Sequence, residues 1–84
     1  MKVSDHVRDA ILQVIENQIT SKNPTETALT LKRLIREGHS HFEAKQLIGQ
    51  AMVVEVIDAF KNKKPYNEKR YIANLRNLPN DPHE

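Results

Sequence analysis

The chain has no cysteine and no tryptophan, two glycines among 84 residues, and only 5% aromatic residues. Without cysteine there is no disulfide and no thiolate zinc site, so the usual staples of small secreted domains are excluded. Two isolated glycines cannot build the glycine-rich loop that cradles a phosphate or a dinucleotide. No apolar run approaches the ~18 residues that a membrane-spanning helix requires. The opening Met1-Lys2-Val3-Ser4-Asp5-His6 leads straight into a polar, amphipathic pattern rather than the apolar core of a signal peptide. These absences together predict a cytoplasmic protein that makes no use of a membrane.

What is present is enough for one small domain. A chain of this length buries roughly 60–65% of the surface its unfolded form exposes, so its stability margin is thin. The apolar share is 38% and the charged share 29%, a globular balance with little core to spare. The net charge of +2 is unevenly placed. Residues 1–60 carry seven Lys/Arg against eight Asp/Glu, whereas Lys61 to Arg76 holds six basic residues against Glu68 alone. The basic excess is a property of one loop and the segment after it.

Four helices and no strand can be read from the spacing of apolar residues. Val7, Ala10, Ile11, Val14, Ile15 and Ile19 recur at steps of three and four, the stripe of an amphipathic helix capped by Ser4 or Asp5. Asn23-Pro24-Thr25-Glu26 reads as a second start, with Asn as cap and Pro at the first helical position. Ala28, Leu31, Leu34 and Ile35 are expected to form its inner stripe, with Lys32, Arg33 and Arg36 facing water. Gly38 closes that helix in a left-handed conformation. Ser40 with Glu43 three residues on is a capping box that opens the third helix after a very short turn. This third helix, His41 to about Asn62, is the longest and most apolar. Phe42, Ala44, Leu47, Ile48, Ala51, Met52, Val53, Val54, Val56, Ile57 and Phe60 cover more than one of its faces. Gly49 inside it lowers helix stability by ~1 kcal/mol relative to alanine, which suggests close approach of another helix. Asn67 caps a short fourth helix, Tyr66 and Tyr71 form a hydrophobic staple, and Tyr71, Ile72, Leu75 and Leu78 dock it before Pro79. The expected fold is an all-α domain of four helices over residues 1–79, the third central and the fourth short, with 80–84 as a frayed tail.

Few constellations suggest chemistry. His39 and His41, with Glu43 or His83, are the only grouping of metal-ligand types. A His-x-His pair shares a face on a strand but not at a helix start, so two solvated turn histidines are expected and no metal. Glu55 and Asp58 stand three apart on one helical face, as a general acid and base would. Such a pair needs a pocket that drives the two pKa values apart, and a solvated acidic face is the expectation here. No triad partner accompanies Ser4 or His6, so neither an enzyme nor a cofactor is expected.

Two binding readings remain. Leu31 to Ile48 has the outline of a helix-turn-helix that would present His39, His41, Lys45 and Gln46 to base edges. Yet His39 to Phe60 has one Lys against Glu43, Glu55 and Asp58, the wrong sign for a groove lined by phosphates. Lys61, Lys63, Lys64, Lys69, Arg70 and Arg76, beside Tyr66 and Tyr71, form the better nucleic-acid patch. The favoured reading is an interface. The third helix carries more apolar residues than one stripe of a short bundle buries, and Val53, Val54 and Ile57 are the candidates to meet a protein partner or a second copy in a homodimer.

Several stretches also carry a resemblance. Glu16-Asn17-Gln18-Ile19, Arg33-Leu34-Ile35-Arg36-Glu37-Gly38-His39, Ala44, and Leu47-Ile48-Gly49 are followed by Glu55-Val56-Ile57-Asp58-Ala59-Phe60-Lys61-Asn62. Pro65-Tyr66-Asn67-Glu68, Arg70-Tyr71 and Leu75 with Leu78-Pro79 complete the pattern. It resembles a group of short bacterial proteins that constitute a domain of unknown function, and it covers most of the chain. The shared motifs are caps, a turn and docking residues, so the resemblance implies a bacterial, cytoplasmic origin and no activity. Some members place histidines where this chain has Phe42 and Gln46, so a metal site built on those positions would not carry over.

Overall fold

The computed structural model describes residues 5–80. They form α1 (Asp5–Ser21), α2 (Thr25–Arg36), α3 (His41–Asn62) and α4 (Glu68–Asn77), with no strand among the described residues. Ser4 as a cap and residues 81–84 of the expected tail lie outside the described residues. α3 is the longest helix and packs against each of the other three, while α4 lies on α2 and α3.

The turn between α2 and α3 forms as its sequence dictates. Gly38 takes φ +107°, a conformation that penalises any side chain. That lets its N–H reach the Ile35 carbonyl at 3.0 Å and the His39 N–H reach the Leu34 carbonyl at 3.0 Å. These are the two bonds of a Schellman ending, which satisfy carbonyls the helix leaves unpaired. Ser40 Oγ then accepts from the Glu43 N–H while Glu43 Oε1 accepts from the Ser40 N–H, each at 3.0 Å. The capping box holds the Glu43 carboxyl below its usual pKa, first through the Ser40 backbone and then through its hydroxyl.

The core is Ile11 and Ile15 of α1, Leu31 and Leu34 of α2, Ala44, Ile48, Ala51 and Met52 of α3, and Tyr71, Leu75 and Leu78 at the C-terminal end. Of the expected α1 stripe, Val7, Ala10 and Val14 are exposed and Ile19 is half-buried. The α2 stripe needs a larger correction. Ala28 is only half-buried and Ile35 is exposed, whereas Thr27 and Thr30 are buried. Thr27 takes the inward face because it has hydrogen-bond partners there, which removes the penalty for burying its hydroxyl. Arg33 is also half-buried rather than facing water: Nη1 pairs with Glu37 at 3.0 Å and Nη2 donates to the Leu75 carbonyl at 3.0 Å. It thereby serves an end carbonyl of α4 and ties α4 to α2. Pro24 occupies the cap position of α2 with no side-chain cap bond, so Asn23 is not the cap.

α1 crosses α3 at Gly49, where a methyl group would stand 3.7 Å from Ile15 Cδ1 and 3.8 Å from Ile11 Cγ2. That is ordinary van der Waals contact, so α1 does not require a glycine there, contrary to the sequence expectation. Gly49→Ala is expected to raise stability by about 0.5–1 kcal/mol, seen as a higher urea midpoint at unchanged slope. A lower midpoint would mean that α1 and α3 lie closer than these distances.

Candidate interaction surface

Beneath the α3 surface lies a charged cluster built from two helices. Asn67 Oδ1 accepts from the Arg70 N–H at 3.0 Å, which caps α4 and sets Arg70 in its first turn. From there Arg70 reaches back to α3. Its Nε donates to Glu55 Oε2 at 2.7 Å, and Nη2 donates to Glu55 Oε1 at 2.9 Å and to Asp58 Oδ2 at 2.7 Å. Glu55 is 1% exposed, so the two-pronged contact compensates a carboxylate removed from water. The Arg70 hydrogen bond, then the Asn62 amide, holds the Asp58 carboxyl below its usual pKa. The Arg70 guanidinium is correspondingly pushed above its ordinary value, Glu55 first and Asp58 second. The expected solvated acidic face is therefore not observed: Glu55 and Asp58 converge on one cation at the α3–α4 junction.

A second polar cluster joins α1, α2 and α4. Thr27 Oγ1 donates to Gln18 Oε1 at 2.8 Å, and the Tyr71 hydroxyl stands 3.0 Å from Gln18 Oε1 and 3.1 Å from Thr27 Oγ1. No buried side-chain polar atom among the described residues lacks a partner. The Tyr66 and Tyr71 rings lie 5.8 Å apart, the expected staple, and the Tyr66 hydroxyl approaches Met52 Sδ at 3.9 Å. Burial pushes the Tyr71 hydroxyl up to about 12, with the Thr27 hydrogen bond acting the other way. Tyr66 is also raised, by burial first and then by Tyr71 and the Glu55 and Glu68 charges. The fold favours the neutral phenol, so Tyr71 supports folding fully below its unfolded value near 10.0 and loses that support as pH rises toward 12. Tyrosinate absorbance is therefore expected to stay low at pH 10 and to rise together with loss of helical circular dichroism. Half-formed tyrosinate at pH 10 in a fully helical protein would contradict this.

The outer side of α3 is open and carries large apolar side chains. Phe60 is 88% exposed, Phe42 65% and Val56 40%, while Gln46 and Gln50 between them are exposed. Val53, Val54 and Ile57, the interface residues expected from sequence, are half-buried, and Val53 packs against the core. Phe42, Val56 and Phe60 are thus the more available side chains. At 100° per residue Phe42 and Phe60 point away from Ala44, Ile48, Ala51 and Glu55, a signal present in the spacing itself.

Among the six basic residues of the 61–76 segment, Lys61, Lys63, Lys64, Lys69 and Arg76 are exposed. Arg70 is committed to Glu55 and Asp58 and differs from them in that respect. Of the helix-turn-helix candidates, Lys45 is half-buried and paired with Glu16, while His41 and Gln46 are exposed. His39 is half-buried and lines a shallow open depression of about 200 Å³ with Glu43, Gln46, Leu47 and Gln50. No group of three His, Cys, Asp or Glu is placed to hold a metal among the described residues, and His83 lies outside them. No helix among the described residues is long and apolar enough to cross a membrane.

Comparison with family models, with curated proteins and with solved structures finds no match to this chain.

Proposed function

We propose that this chain is a small cytoplasmic interaction module, not an enzyme, that self-associates through the outer side of α3. The observation that carries the reading is Phe60, 88% exposed on the same helix as an exposed Phe42 and Val56. Burying a phenylalanine side chain contributes about 1.5–3 kcal/mol, and a small domain with several such residues on one helix gains by covering them. The ordered, fully satisfied polar clusters beneath give that helix a rigid backing, which lowers the entropy lost on association.

Sedimentation equilibrium tests the reading. The protein is expected to show a concentration-dependent dimer, and Phe60→Asp to weaken it by about 2 kcal/mol, roughly thirtyfold in Kd. Because the Phe60 side chain lies almost wholly in water, the variant should keep its circular dichroism spectrum. A monomer at all concentrations, or a dimer indifferent to Phe60→Asp, would overturn the reading.

The second reading is nucleic-acid binding through Lys61, Lys63, Lys64, Lys69 and Arg76. It is favoured by Lys61 and Lys63, which are exposed, enter no ion pair among the described residues and follow the exposed Phe60 in sequence. That reading requires affinity to fall steeply with salt and on Lys63→Glu/Lys64→Glu, whereas an apolar interface responds little to salt.

A further inference from the structure

We propose that a second copy of the chain meets α3 antiparallel, about a two-fold axis that passes between the two helices, level with residues 51 and 52. This rests on the self-association reading above and fixes the arrangement it takes. Phe42 and Phe60 are 18 residues apart, which is about five turns at 3.6 residues per turn, so both rings leave α3 along one line. Glu43 and Lys61 are separated by the same 18 residues and share a second line about 100° further round. Between the phenylalanines, Gln46, Gln50, Val53 and Ile57 follow at steps of three and four, each exposed or half-buried. The side from Phe42 to Phe60 is therefore a continuous stripe along the helix, with one acid flanking its start and one base flanking its end.

An antiparallel pair matches that stripe to itself. Phe42 comes beside Phe60 of the copy, Glu43 beside Lys61 of the copy, and Gln50 opposite Val53 of the copy, each contact occurring twice as a two-fold interface requires. Glu43 spends Oε1 on the Ser40 N–H, which leaves Oε2 for an ammonium. Lys61 enters no ion pair among the described residues. A parallel pair would instead set Glu43 beside Glu43 and Lys61 beside Lys61, like charges that oppose association. It would also align the two helix dipoles head to head, whereas the antiparallel pair sets the acidic start of one helix against the basic end of the other.

Nitroxide distances in the dimer test the arrangement, and the absence of native cysteine allows single labels at His41→Cys and Gln50→Cys, both exposed positions. In the antiparallel pair residue 41 lies level with residue 62 of the copy, so its labels should be ~30 Å apart, while the Gln50→Cys labels should be within ~15 Å. Two short distances in a dimer that Phe60→Asp weakens would overturn the antiparallel arrangement and leave self-association through α3 standing. Two long distances would overturn it as well, by placing the contact on another face. A labelled protein that stays monomeric, like the unlabelled one, would remove both readings.

Discussion

Arg70→Met is expected to lower the midpoint of thermal unfolding by about 15 °C or more, because it leaves a carboxylate sealed in the protein without its cation. Glu55 is 1% exposed, and among the described residues the Arg70 guanidinium binds both its oxygens. The reverse change, Glu55→Met, is milder. Arg70 keeps Asp58 at 2.7 Å, and its side chain is 24% exposed, so water reaches it. The double variant Glu55→Met/Arg70→Met should recover most of the loss, since apolar side chains of similar length replace a buried pair at little or no net change. Differential scanning calorimetry on the three variants orders them. Arg70→Met as stable as Glu55→Met would mean that Glu55 is not shielded from water as the geometry requires.

Tyr71→Ala has an effect of similar size, about 3–5 kcal/mol in urea denaturation. A domain of this size holds roughly 4–12 kcal/mol in all, so the variant sits near the edge of folding. The loss comes from the ring, which is fully buried where α4 meets the core and touches Tyr66. Tyr71→Phe separates ring from hydroxyl and should lose only about 1 kcal/mol, because Thr27 and Gln18 still satisfy each other at 2.8 Å. Equal losses in the two variants would mean that the polar cluster, not the ring, holds α4 in place.

The difference between these two clusters and the helix ends explains what was legible in the sequence. Gly38, Ser40 with Glu43, and Asn67 act within three or four residues of themselves, so local rules place them and the geometry follows. Glu55 and Arg70 are on different helices, and nothing in either helix's own period says that an acid belongs inside. Thr27 is similar: its hydroxyl is tolerable within the core only because Gln18 and Tyr71 arrive from other helices. Arg70 stands in a run of basic residues, and only the packing of α4 on α3 pairs it with Glu55 and Asp58. The third helix was readable as having more apolar residues than one chain buries. Choosing among them was harder, since Val53, Val54 and Ile57 are partly covered while Phe42, Val56 and Phe60 stand out.

The most direct test of self-association through the outer side of α3 is a dilution series followed by amide nuclear magnetic resonance. Resonances of Phe42, Gln46, Gln50, Val53, Val56, Ile57 and Phe60 should shift with concentration, and those of α4 should hold still. Shifts absent at every concentration, or confined to the Lys61–Lys69 segment, would contradict it.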